Sequence, residues 1–337
     1  MSQQLTPRQL GFRMPAEWQL HEATWIAWPH NEDDWPGRFA PIPWVYGEIV
    51  RKLSVVERVK ILVHNEDLRE SARQVLEKVG ANMDAVEFHL QPTDRVWTRD
   101  FAPQFLRSAD GEIAAAKFRF NGWTKYENWR LDDAAGRSIP GVQWQPDIVL
   151  EGGSIDVNGA GLLLTTEECL LSPVQARNPE LSREQLESVF HDYLGIDRTL
   201  WLNNGIYGDD THGHIDDLAR FTDTESIVIV READPSDENH APLAENLERV
   251  KSMPLRVRTL PMPNPLWFDG VRLPASYANF YVANKTVLVP TFNDPHDRLA
   301  LNTLAECFPD REIIGINCVE LVWGLGTLHC MTQQQPA

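Results

Sequence analysis

Short apolar runs separated by polar turns recur along the chain in one repeated grouping. Phe101 to Leu106 is followed by a turn at Asp110-Gly111 and then by Ile113 to Phe118. Ser154-Ile155-Asp156-Val157 is followed by Asn158-Gly159 and then Leu162-Leu163-Leu164-Thr165. Asp217 to Phe221, a polar turn and Ser226 to Val230 make a third pair, and Asn279 to Ala283, Asn284-Lys285 and Thr286 to Pro290 a fourth. Apolar, often β-branched segments around such turns predict β-hairpins.

Helical periodicity appears between the hairpins. The clearest stretch follows Ser182 as N-cap, with Gln185 three residues on and Gly195 after Leu194, which is the sequence form of a capping box with a glycine stop. Glu66 to Val79 ends before Gly80, and Pro242 to Lys251 and Asp297 to Cys307 complete the set. The repeating unit is hairpin, helix, strand.

A polar residue stands at the start of each unit: Asp100, Glu151 and His214, with a fourth start near Tyr277. Cys330 opens a fifth strand, but too little chain remains to complete a hairpin. The N-terminal Thr24-Trp25-Ile26-Ala27-Trp28-Pro29 supplies the missing strand, so the two ends of the chain would close a ring. We expect a single domain over residues 1–337, a five-fold pseudosymmetric α/β propeller with the polar unit starts converging on its axis.

Composition adds limits. The formal net charge of −18 favours cationic ligands and disfavours nucleic acid and anionic membranes. No run approaches the roughly 18 apolar residues of a membrane span, and Met1 to Gly11 has no apolar core of the kind a signal peptide carries. A cytoplasmic protein with reduced thiols is expected. Cys318, Cys169 and Cys307 sit in apolar strand or helix surroundings and read as inert core. Cys330, in the glycine-framed Gly324-Leu325-Gly326-Thr327-Leu328-His329-Cys330, reads as reactive.

Taken singly, Asp100 would be half of an ion pair with Arg99, Glu151 a turn residue, and His214 a structural histidine. At equivalent points of one repeat, with Cys330, they suit the hydrolysis of a guanidino group. Carboxylates meet a planar guanidinium in bidentate fashion, which makes Asp100 and Asp216 its ligands. His214 lies two residues from Asp216, so on an extended segment both face one side. Glu151 would orient His214, and Cys330 would attack the guanidinium carbon. The bound cation would lower the thiol's pKa, and His214 would serve the leaving ammonia and then the attacking water.

These residues carry a resemblance. With Met14-Pro15-Ala16-Glu17-Trp18, Trp25-Ile26-Ala27-Trp28-Pro29, Leu150-Glu151-Gly152-Gly153-Ser154, Thr165-Thr166-Glu167-Glu168-Cys169-Leu170-Leu171, Gly213-His214-Ile215-Asp216-Asp217 and His329-Cys330-Met331-Thr332, the chain resembles the agmatine deiminases of the guanidine-modifying (pentein) superfamily. The resemblance implies an α/β propeller without metal or organic cofactor that converts agmatine and water to N-carbamoylputrescine and ammonia. It makes Cys330 the nucleophile, His214 the acid/base, Asp100 and Asp216 the guanidinium ligands, Glu151 the carboxylate beside the histidine, and Trp97 an aromatic channel wall.

The chain departs from the family pattern at His212, where an aspartate is usual, at Asp156, where a histidine is common, and at Leu325, in a loop usually richer in glycine. Asp209 and Asp210, just before His214, could meet the terminal ammonium of agmatine, and a solvated turn explains them equally well. Three alternatives stay open: a deiminase of arginine or another alkylguanidine, a zinc-dependent amidohydrolase using His212 and His214, and a non-catalytic binder of cations or sugars. The expected partner is a small cationic guanidine, and homo-oligomerisation is left open.

Overall fold

The computed structural model describes residues 5–337. Five small sheets repeat one plan, in which an antiparallel hairpin is extended by a parallel strand that returns after a helix. In sequence order their cores are Gln104–Ser108 with Ile113–Ala116 and Val142–Trp144, then Asp156–Val157 with Leu162–Thr166 and Arg198–Leu202. Ala219–Asp223 with Ser226–Arg231 and Arg256–Pro261 follow, then Tyr281–Val282 with Thr286–Thr291 and Glu312–Asn317. The fifth sheet joins the chain ends: Gln333–Pro336 runs antiparallel to His21–Ala27, which pairs in parallel with Arg58–Val63. The expected closure is therefore present, with Gln333 opposite Trp25.

The crossover helices follow their sequence signals closely. Arg183–Leu194 carries the full capping box between Ser182 and Gln185, and Glu66–Val79 starts from an Asn65 cap. One helix begins earlier than expected, at His240 rather than Pro242, because proline is tolerated in the first turn, where its missing N–H has no partner to lose. Two of the longer helices lacked a sequence prediction, Ile42–Leu53 and Arg130–Ser138, as did the short Thr98–Phe101 and Glu167–Leu171. Arg130–Ser138 holds Gly136 in its interior, against the usual helix preference. A Cβ there would stand 1.9 Å from the Phe101 carbonyl oxygen. The glycine lets the helix press directly against the turn that carries Asp100.

The larger apolar core draws residues from Trp25 to Met331, with Trp25, Trp28 and Trp35 almost fully enclosed. A second core, around Phe12, Leu106 and Phe190, sits under the Arg183–Leu194 helix. Each fully buried aromatic contributes roughly 1.5–3 kcal/mol. Among the described residues no helix is long and apolar enough to cross a membrane.

Candidate active site

The polar unit starts do converge, but from helical turns rather than from strands. Asp100 lies in the one-turn helix Thr98–Phe101, Glu151 precedes the 3-10 turn Gly152–Ser154, and Asp216 lies within the 3-10 turn Ile215–Asp217. The extended segment expected between His214 and Asp216 is therefore absent. Their side chains still face one another, with His214 Nδ1 4.0 Å from Asp216 Oδ1, because the turn folds the aspartate back towards the histidine.

Close packing of these turns fixes the carboxylates. The Gly153 N–H donates to Asp100 Oδ1 at 2.9 Å, and the Trp123 indole N–H donates to Oδ2 at 2.9 Å. Arg99, the ion-pair partner Asp100 would have if it stood alone, reaches Gln334 Oε1 at 2.7 Å and Glu17 Oε2 at 3.4 Å. Asp209 accepts the Gly213 and His214 N–H groups at 2.7 and 3.1 Å. It is thereby spent on shaping the His214 loop.

Cys330 is held by a residue that the sequence did not single out. Asn279, at the fourth unit start, donates from Nδ2 to Cys330 Sγ at 3.0 Å, while its Oδ1 accepts from Thr327 Oγ1 at 2.7 Å and the His329 N–H at 3.0 Å. The repeat register pointed to Tyr277, two residues short. Asp216 is held in turn by His329, whose Nδ1 stands 2.7 Å from Asp216 Oδ2 and whose Nε2 stands 2.8 Å from Glu17 Oε2. Arg220 completes this buried network with Glu17 at 2.9 Å and Asp156 at 3.1 Å. Asp156, one of the departures, is thus a structural partner of Arg220 and of the Phe221 N–H, at 2.6 Å.

The centre keeps unpaired groups facing one another. His214 Nδ1 is 3.8 Å from Asp100 Oδ1 and Nε2 is 4.0 Å from Glu151 Oε2. Arg177 takes Glu151 Oε1 at 3.1 Å, and neither Glu151 Oε2, Asp216 Oδ1 nor either His214 nitrogen has a hydrogen-bond partner. Cys330 Sγ lies 3.7 Å from Asp216 Oδ2. Buried polar atoms are normally paired, so such a cluster has the form of a ligand site. Its open acceptors suit a cation carrying several N–H donors.

Electrostatics agree with that form. Burial pushes the Cys330 thiol well above its ordinary range, and Asp216, Asp217 and Asp100 push it further. Burial also raises Asp100 to about 6, with Asp216 and Glu151 adding to the effect and His214 opposing it. For His214, burial disfavours the charge, but Asp100, Cys169 and Asp216 outweigh it and hold the imidazole protonated well above the usual histidine range. Burial alone would raise Asp216, yet His329, His214 and Arg220 keep it below the ordinary carboxylate range. The free site thus holds a neutral thiol beside an imidazolium and an ionised Asp216, and a bound cation would reverse the penalty on the thiolate.

A cavity leads to this centre, and Asp100, Cys330, Trp97 and Asp210 all line it. Asp210 is engaged there with the Tyr126 hydroxyl at 2.5 Å and Lys125 at 3.2 Å. Leu325 also lines the cavity, with a left-handed backbone (φ 67°) that costs a non-glycine residue about 1–2 kcal/mol. Arg95, Trp123 and Tyr126 also line the cavity and were not predicted from the sequence, and Thr211, Gly324 and Gly326 complete the wall.

His212 turns away from the centre, with Nε2 3.2 Å from Ser172 Oγ and Nδ1 3.8 Å from Glu168, so His212 and His214 form no common ligand pair. Cys169, read as inert core, is buried with its sulfur among Glu151 and His214, the ligand atoms of the three lying within 4.8 Å of one another. Cys318 is buried core as expected.

Residues 13–336 match the family model of the Porphyromonas-type peptidyl-arginine deiminases. The chain is 34% identical to the agmatine deiminase of Pseudomonas aeruginosa, over 98% of this chain and 97% of that protein. Its fold is similar to the solved agmatine deiminase of Enterococcus faecalis, with a TM-score of 0.91, 31% identity and coverage of 99% and 98% of the two chains. It is also similar to the agmatine deiminase of C. jejuni solved with substrate bound, with a TM-score of 0.89, 31% identity and coverage of 97% and 96%.

Proposed function

The chain belongs to the Porphyromonas-type peptidyl-arginine deiminase family, and from that premise we propose that it hydrolyses agmatine to N-carbamoylputrescine and ammonia. It is a hydrolase acting on the C–N bonds of linear amidines, resembling agmatine deiminases along nearly its full length. The observation that carries the reading is that Cys330 and Asp100 line one cavity, with Asp216 Oδ2 behind them at 3.7 Å from the Cys330 sulfur.

In this mechanism the guanidinium lies between Asp100 and Asp216, which accept its N–H groups. Asp216 Oδ1 and Asp100 Oδ1 are the oxygens nearest His214. The bound cation lets the thiol release its proton to solvent, and the thiolate forms a bond to the guanidinium carbon. His214 gives its proton to one terminal nitrogen, the C–N bond breaks, and ammonia leaves a thiouronium on Cys330. The neutral imidazole then takes a proton from water, hydroxide adds to the same carbon, and the C–S bond breaks to return the thiolate, the hydroxyl proton passing to solvent as the urea product is released. Glu151, anchored by Arg177, keeps the imidazole in place and favours its cationic form.

For the substrate tail, Trp97 supplies an aromatic wall and Asp210 a carboxylate suited to the terminal ammonium. The tail of arginine would instead present a carboxylate and require a free cation. Arg95 lines the cavity, but it is already paired with Asp34, donates to Asn128 Oδ1 at 3.2 Å, and lies 4.0 Å over the Tyr126 ring. That arrangement favours agmatine. The core that runs from Trp25 to Met331 supports residues 1–337 as one deiminase domain, and its free cysteines suit the cytoplasm.

Ammonia release from a panel of agmatine, arginine, peptidyl-arginine, methylated arginines and simple guanidines tests the substrate assignment. Agmatine is expected to show the highest kcat/KM, and a preference for arginine would overturn the assignment of the tail site.

A further inference from the structure

The position of Cys169 adds a second kind of chemistry at the same histidine. Thr166 links its backbone to that of the His214 loop: its hydroxyl accepts from the Cys169 N–H at 3.0 Å and donates to the Gly213 carbonyl at 2.6 Å. The result is a thiol, an imidazole and a carboxylate, all essentially inaccessible to solvent, with ligand atoms within 4.8 Å of one another. Glu151 Oε2 and both His214 nitrogens are unpartnered in this enclosure, since Arg177 occupies only Oε1 of the glutamate.

We propose that Glu151, Cys169 and His214 form an inhibitory binding site for a thiophilic divalent cation such as zinc. Thiolate, imidazole and carboxylate are the donors that zinc takes, with bond lengths of about 2.0–2.3 Å and ligand atoms roughly 3.5 Å apart in a tetrahedron. The donor atoms, within 4.8 Å of one another, would have to draw together by up to about 1.3 Å to reach that spacing. Occupancy requires the thiol proton and a proton of His214 to leave for solvent. The nearby Arg177 guanidinium opposes a second cation, while Asp100 and Asp216, both within 4.0 Å of His214, offset it.

The consequence for catalysis rests on the deiminase reading. A metal on either ring nitrogen leaves room for at most one proton on the imidazole, so the imidazolium that must protonate departing ammonia can no longer form. Inhibition would be reversible by chelation, and it would leave the Cys330 sulfur unligated. This separates it from metal capture by the nucleophile.

Cobalt(II) chloride, titrated in thiol-free buffer into the Cys330→Ala protein, tests the site without any need for turnover. A thiolate-to-cobalt charge-transfer band is expected, and it should vanish in the Cys330→Ala, Cys169→Ser double variant. No band, or a band that survives loss of Cys169, overturns the proposal. Crystals of the Cys330→Ala protein soaked in zinc give a second reading that does not need the Cys169 variant. An anomalous peak among the three side chains supports the site, and a peak elsewhere or none contradicts it. In active enzyme, zinc should inhibit Cys169→Ser at least about tenfold more weakly than wild type, each measured against its own uninhibited rate. If cobalt binds but no guanidine is hydrolysed, the functional reading fails and the site stands.

Discussion

His329 bridges two carboxylates, with Nδ1 2.7 Å from Asp216 Oδ2 and Nε2 2.8 Å from Glu17 Oε2. The residue before the nucleophile thus leaves Asp216 Oδ1 as the oxygen free for substrate. His329 is a positioning residue in this arrangement. His329→Asn is expected to lower kcat/KM for agmatine roughly 10²-fold, the scale of a small misplacement in an oriented site. It should also displace the acid limb of the pH profile by loosening Asp216. A lower melting temperature with kcat/KM and the pH profile unchanged would reduce His329 to a structural role.

Gly153 gives a sterically defined test. A Cβ at this position would lie 2.5 Å from His214 Nδ1, 2.9 Å from Asp100 Oδ1 and 3.0 Å from Asp216 Oδ2. Gly153→Ala is therefore expected to drive a methyl group into the guanidinium site and cut kcat/KM by about 10²-fold or more, with the circular dichroism spectrum retained. Full activity in a folded Gly153→Ala protein would show that these three groups do not act together.

The pH dependence follows from Asp100, which burial raises to about 6. The guanidinium binds the ionised carboxylate, so affinity is present above that value and is lost as the pH falls through it. kcat/KM should drop by about tenfold per unit below it. The bound cation stabilises the carboxylate, so the acid limb of kcat should lie at lower pH than that of kcat/KM. A kcat/KM profile that is flat from about pH 5 to 7 contradicts the assignment.

Asp210 tests the recognition of the tail. Its carboxylate is held by Tyr126 and Lys125 at the cavity wall, away from the reacting atoms. Asp210→Asn is expected to raise KM for agmatine by about tenfold, a loss of about 1.4 kcal/mol, with kcat less affected. An unchanged KM removes Asp210 from substrate recognition.

The ring itself was legible because its signals are local. Asp110-Gly111 and Asn158-Gly159 mark turns, and Ser182 with Gln185 marks a helix start within a few residues of sequence. The catalytic candidates were legible for the same reason, as polar residues at matching points of a repeat. What stayed hidden acts across the ring. Asn279 reaches Cys330 from another unit, Arg177 reaches Glu151, and Glu17 meets His329 from the opposite end of the chain. The helix Arg130–Ser138 escaped notice because Gly136 weakens its local preference, and only the approach of Phe101 explains that glycine. Cys169 looked like core because it is core in burial. Its sequence surroundings say nothing of the histidine that folds against it.

The most direct test of the covalent account is ammonia release from agmatine by wild type and Cys330→Ala side by side. Burial of Cys330 within the closing turn of the ring leaves room for alanine, so the variant should fold and still bind agmatine. The account predicts ammonia and N-carbamoylputrescine in equal amounts from wild type, and no ammonia above the uncatalysed background from Cys330→Ala. Substantial turnover by the folded variant would contradict it.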